Sequence, residues 1–224
     1  CFPADRCMPI PASMGFTDAA AFQVAYGTGH VALAHRANLK AGETLLVLGA
    51  AGGVGLTAIE IGKLMGARVI GVARGDAKLE AARAAGADDV IDSEAGDLRA
   101  AIKALGGVDV AYDPVGGEQF TAALRSMKPE GRIIPIGFAS GDVPQIPANH
   151  LLVKNLTVIG LYWGGYLAFR PEVLTDSMAQ LLAWYDAGKL KPHVSHSLPL
   201  DRAAEGMELL RSRKSTGKVV INID

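Results

Sequence analysis

The stretch LLVLGAAGGVGLTAIEIG, Leu45 to Gly62, constrains the fold of this chain more than any other. Leu45 to Leu48 is an apolar run of strand length, and after Gly55 the apolar spacing becomes helical. Between the two, four glycines fall within seven residues: Gly49, Gly52, Gly53 and Gly55. A helix N-terminus presents unpaired N–H groups and the positive end of the helix dipole, and both favour an anion. Glycine removes the side chains that would hold such a ligand away. It also permits a tight turn and close helix–strand contact. Gly49, Gly52 and Gly55 stand at three-residue spacing, whereas the strict G-x-G-x-x-G form would place Gly at Ala50. Taken alone, the pattern also suits a turn built only for tight packing.

The surroundings favour the anion. Strand-like runs recur at Thr44–Leu48, Arg68–Ala73, Asp89–Ile91, Val108–Tyr112, Gly131–Ile136 and Thr157–Tyr162. Helical patterns lie between them at Gly53–Met65, Asp76–Ala85, Asp97–Leu105 and Gly117–Met127. Thr17 to Ala37 precedes them as a further helix, with Thr17 or Asp18 as its cap. Several strands are continuous apolar runs, as burial on both faces requires. Alternation of strand and helix predicts a doubly wound parallel sheet. The glycine turn follows its first strand, in the position of a dinucleotide-binding unit. Gly66 and Gly86 each follow a helix as C-terminal caps. After Tyr162 the alternation stops. WGGYLAFRP reads as a loop, Pro171 to Ala187 as a helix, HSLPL as a strand, Asp201 to Arg213 as a helix and KVVINI as a last strand.

The end of the second strand speaks to which dinucleotide. An NAD site usually has Asp or Glu there for the ribose hydroxyls. Here the sequence is GVARGDAK, with Arg74 at the tip and Lys78 four residues on. Two cations suit a 2′-phosphate, so NADP(H) is the expected cofactor. The competing reading is two solvated surface charges, with Asp76 as a helix cap.

Composition excludes other classes. The formal net charge of −1 gives no electrostatic case for nucleic acid or an anionic membrane. The longest uncharged apolar run, Leu45 to Ile59, is too short to span a bilayer. Cys1 and Cys7 cannot staple 224 residues, which points to a reducing, cytoplasmic setting. The five histidines show no spacing suited to a metal, and no metal site is expected. The chain opens on CFPADRCMPIP without Met, and is expected to be part of something longer.

Several segments in register carry a family resemblance: AYGTGHVAL, LKAGETLLVLGAAGGVGLTAIEIGKLMGARVIGVAR, AAGADDVIDSE, VDVAYDPVGGEQF and TGKVVINI. Together they resemble the medium-chain dehydrogenase/reductase superfamily, and within it the zinc-free, zeta-crystallin-like quinone oxidoreductases. The resemblance implies a Rossmann fold with a remnant of a GroES-like catalytic domain. Residues 1–17 would be the end of that domain, 18–163 the NADP-binding domain, and 164–224 a return segment. Zinc-dependent relatives carry a Cys ligand where Val24 stands.

The resemblance also implies a set of cofactor contacts. Gly49, Ala50, Gly52, Gly53, Val54 and Gly55 would cradle the pyrophosphate. Arg74, Lys78 and Ser93 would lie at the 2′-phosphate, Ser93 standing where some relatives have Tyr. Tyr26, Thr28, Gly137 and Phe138 would edge the nicotinamide. Val115 and Gly116 would line the crevice, and Arg213 would reach in from the tail. The implied reaction is hydride transfer from NADPH to a quinone or an α,β-unsaturated carbonyl, with no general acid identified. The alternatives are an enoyl-thioester or alkenal reductase, or a non-catalytic cofactor-binding protein of the crystallin kind. An apolar last strand, Asn155 to Trp163, would pair across a two-fold to make a homodimer.

Overall fold

A computed structural model describes residues 7–223. Residues 1–6, Cys1 among them, lie outside the described residues, so only part of the segment expected to end a neighbouring domain is seen. Six parallel strands form one sheet in the order β3-β2-β1-β4-β5-β6. They are β1 Thr44–Val47, β2 Arg68–Ala73, β3 Asp89–Asp92, β4 Val108–Asp113, β5 Met127–Pro135 and β6 Thr157–Val158. Helices α1 Phe16–His30, α2 Gly53–Leu64 and α3 Asp76–Ala84 cover one face, and α4 Leu98–Ala104 and α5 Gly117–Ser126 cover the other. The strand order reverses between β1 and β4, which is where ligands bind in doubly wound sheets.

The apolar strand runs do what two-sided burial demands. Leu45 and Val47 enter the core under α1 and α2, while Leu46 and Leu48 enter the core under α4 and α5. All four are fully buried. Each such side chain contributes roughly 2 kcal/mol of transfer free energy, which makes this central strand the hardest to displace.

The tail folds back on the α1 face. Helix α6 Ala148–Leu152 precedes β6, and α7 Tyr166–Phe169 and α8 Pro171–Asp186 follow it. Met178 and Leu181 of α8 join the core with Phe22 and Tyr26 of α1. Strand β7 Val194–Pro199, helix α9 Ala203–Arg211 and strand β8 Lys218–Asn222 then form a small parallel unit outside the main sheet. Gly66 and Gly86 do end helices in the left-handed conformation, at φ 82° and 105°. Among the described residues, no helix is long and apolar enough to cross a membrane.

Four local expectations are corrected. Helix α1 starts at Phe16 after Gly15 and has no side-chain cap; Asp18 instead accepts the hydroxyl of Tyr185 at 2.7 Å. Past His30 the helix widens into a π-helical segment, Val31–Arg36. The expected loop WGGYLAFRP contains a 3₁₀ turn and α7, too short for apolar periodicity to reveal. The strand expected over Thr157–Tyr162 pairs with β5 only through Thr157 and Val158.

Candidate functional site

The glycine turn sits at the end of β1, facing the loop that follows β4. Gly49 adopts φ +57°, and a Cβ there would stand 3.0 Å from Val115 Cγ2. The two loops that flank the switch point are therefore in contact. Asp113 fixes the second. Its buried carboxylate accepts from the amides of Val115 at 2.7 Å and Gly116 at 2.9 Å. Burial raises its pKa above the usual carboxylate range, and the two amide donors oppose that rise. From sequence, Asp113 is assigned no role. The D-P-V-G-G order, an acid followed by a tight turn, was the available signal.

The glycines answer to different needs. A Cβ on Gly55 would lie 2.3 Å from the carbonyl oxygen of Gly49, so close packing of α2 on its own turn excludes any side chain. A Cβ on Gly53 would lie 2.7 Å from the Lys218 side chain and 3.1 Å from the Gly217 carbonyl. The tail crosses the turn there: Gly52 and Gly217 form a parallel bridge, and the Gly217 amide donates to Ala51 at 2.8 Å. Ala50 is buried, with its amide donating to Val72 at 2.9 Å, so the position that departs from the strict motif faces the protein. Gly52 is exposed and caps α2. The bridge takes the Gly53 amide to the Gly217 carbonyl, and among the described residues nothing accepts the amide of Val54, at the positive end of α2. That amide is the open donor of the turn.

Three cations gather beside it. Lys78 Nζ donates to the Arg213 carbonyl at 2.8 Å, and an Arg213 guanidinium nitrogen donates to the Ala139 carbonyl at 2.9 Å. Partial burial, then Arg74 and Arg213, lower the Lys78 pKa. Arg213 thus links α3, the tail and the loop after β5. Arg74 is exposed and pairs with Glu94 at 3.3 Å. The sequence reading found no acid at the tip of the second strand. Glu94 arrives from the end of β3, next to half-buried Ser93, whose amide donates to Ala73.

The nicotinamide-side candidates divide. Thr28 is half-buried on α1, beside Gly27, whose α-carbon face is covered by the Trp163 indole. Among the described residues, the buried Trp163 Nε1 finds no hydrogen-bond partner. Gly137 lies against Pro114, and Phe138, 45% exposed, packs an edge on buried Gly116. Tyr26 is in the core. It is 1% exposed, its ring stacks on Phe22 at 4.3 Å, and its hydroxyl donates to Glu60 at 2.5 Å. Glu60 also accepts the Lys191 amide at 3.0 Å. Desolvation, then the Glu60 charge, raises the Tyr26 pKa far above the ordinary phenol value. Tyr112 is likewise buried, with a hydroxyl that meets no partner among the described residues.

Residues 53–184 match the family described as zinc-binding dehydrogenases. The chain belongs to that family. Within the medium-chain dehydrogenase/reductase superfamily it falls in the zinc-free quinone oxidoreductase-like branch. It is 43% identical over 225 residues to a quinone oxidoreductase-like protein 2 homolog of Nematostella vectensis, covering 98% of this chain and 61% of that protein. The chain thus spans about three fifths of the curated relative it matches. The quinone oxidoreductase of Thermus thermophilus, solved also as its complex with NADPH, superposes with TM-score 0.89 at 30% identity, over 99% of this chain and 71% of that one. The Escherichia coli quinone oxidoreductase complexed with NADPH gives TM-score 0.87 at 31% identity, over 97% and 68%. The family description mentions zinc, but among the described residues no three His, Cys, Asp or Glu side chains group closely enough to hold a metal. Val24 is 59% exposed on α1.

Proposed function

We propose that this chain holds the nucleotide site of a zinc-independent oxidoreductase that passes hydride from NADPH to a quinone or an α,β-unsaturated carbonyl. The open Val54 amide at the start of α2, set beside Lys78, Arg74 and Arg213, carries this reading. In it, that amide and the α2 dipole hold the pyrophosphate, with Gly49 and Gly52 keeping the approach clear. Arg74 and Lys78 take the 2′-phosphate, with Ser93 beside them. Arg213 clamps the cofactor between the tail and the Ala139 loop. Val115, Gly116, Gly137 and Phe138 wall the crevice and keep water from the reacting face. Thr28 orients the nicotinamide. The bound cofactor supplies the hydride chemistry. Tyr26 is assigned no contact, because its hydroxyl is committed to Glu60.

The same reading gives residues 1–17 and 164–224 to a second domain and 18–163 to the cofactor domain. It makes the protein a cytoplasmic homodimer joined along the 155–163 edge. The names of the relatives favour quinones over thioesters as acceptors. The test is a titration with NADPH and NADH, followed by nucleotide fluorescence. Binding of NADPH at least about tenfold tighter supports the cation cluster as a phosphate site, since charge-assisted bonds of that kind are worth about 1.4 kcal/mol or more. Equal binding removes the 2′-phosphate assignment and leaves the pyrophosphate site. Absence of both removes the proposal.

A further inference from the structure

A cavity of about 310 Å³ opens between α4, α5, α6 and the approach to β6. Its lining includes Arg99, Lys103, Arg125, Lys154 and His150, together with three aliphatic side chains. It lies at the starts of β5 and β6, whereas the glycine turn follows the end of β1 in the same parallel sheet. The two sites therefore occupy opposite ends of the strands.

Lys63, Arg68, Lys128 and Arg132 all pair with carboxylates. None of Arg99, Lys103, Arg125 or Lys154 makes an ion pair with another described residue. Lys154 is held in the wall by two carbonyls, donating to Met127 at 2.7 Å and Arg125 at 3.3 Å. Partial burial and the charges of Lys103 and Arg99 lower its pKa, with no acid acting the other way. Glu130 meets Lys154 only through the backbone, its amide donating to the Lys154 carbonyl at 2.8 Å. Four like charges around a concavity repel one another, and concave walls focus their field. An anion with several charges relieves that repulsion.

We propose that this cavity binds a small organic anion bearing two or more phosphoryl charges, with its carbon body against the aliphatic wall. Free solutes and lipid headgroups both offer this chemistry, clustered phosphoryl oxygens. The experiment is calorimetric titration of the full-length protein with inorganic pyrophosphate, repeated on Arg99→Gln/Lys103→Gln and on Arg74→Gln. Saturable binding that weakens at least about tenfold in the double variant and survives in Arg74→Gln is expected, since two charge-assisted contacts are lost only in the former. Circular dichroism checks the fold, and Lys103→Gln alone serves if the double variant does not fold. Flotation with phosphatidylcholine vesicles, with and without a phosphoinositide, separates the sources: pyrophosphate-competable flotation marks the headgroup, and none marks a soluble ligand. No saturable heat with pyrophosphate, or equal heat in the parent and the double variant, overturns the proposal.

Discussion

The Gly217 amide donates to the carbonyl of Ala51 across 2.8 Å, joining residues far apart in sequence at the lip of the glycine turn. Gly217 itself sits at φ +59°, and a Cβ there would lie 2.2 Å from the His193 carbonyl. The tail is thus a structural part of the glycine turn.

Gly217→Ala combines a left-handed backbone with a clash against main chain, and should destabilise the protein by about 2–4 kcal/mol. Denaturant unfolding measures this. NADPH affinity should fall as well, because Lys218 and Arg213 are carried on the same segment. A variant with wild-type stability would show that the tail can leave the turn freely.

Glu94 competes for Arg74. Both side chains are largely exposed, so the pair itself contributes little to stability. Glu94→Gln should therefore leave the unfolding midpoint unchanged while tightening NADPH a few-fold, by freeing a cation for the phosphate. Arg74→Gln should weaken NADPH by about tenfold and leave NADH nearly untouched. Parallel losses for both nucleotides would place Arg74 outside the 2′-phosphate site.

Arg132 grips both carboxylate oxygens of Glu43, at 2.8 and 2.7 Å, and also donates to the Ala37 carbonyl at 3.1 Å. The Arg132 bond holds the Glu43 carboxyl below its usual pKa. Because the folded value lies below the unfolded one, the stabilisation is fully present above about pH 4.3, the ordinary Glu value. It is lost as pH falls through the folded value. Arg132→Met should cost about 1–3 kcal/mol at neutral pH, with the difference from wild type shrinking in acid. Unfolding curves at neutral pH and in mild acid decide it; a gap that widens in acid would contradict the linkage.

Strand β6 has one side free. The Ile159 amide donates to Ile133, so the neighbouring Val158 amide points away from β5, along the open edge. If a homodimer forms there, light scattering at micromolar concentration should give twice the chain mass. Val158→Pro should return it to one, because it removes an outward donor without breaking the β5 ladder. A dimer that survives this change would be joined elsewhere.

Much of the fold was legible because burial leaves a simple trace. Leu45 to Leu48 needs apolar walls on both faces, and the structure supplies them. Gly66 and Gly86 ended helices as expected, because positive φ narrows the choice of residue. Short elements left no such trace: α6 and α7 span five and four residues, less than periodicity needs. The capping roles given to Thr17 and Asp18 failed because Gly15 precedes the helix and Asp18 meets Tyr185 of α8.

By itself the sequence determined the layered parallel sheet and the glycine turn between β1 and α2. These depend on local conformational preference and on apolar pattern, which neighbouring residues carry. Only the tertiary structure decided which glycines lie open and which face protein, that Glu94 stands beside Arg74, and that the Tyr26 hydroxyl goes to Glu60. It alone brought Gly217 to Ala51 and set four cations, with no ion pair among the described residues, at the far end of the sheet. Such contacts join distant residues through side-chain geometry and long-range packing, and no local pattern in the chain encodes them.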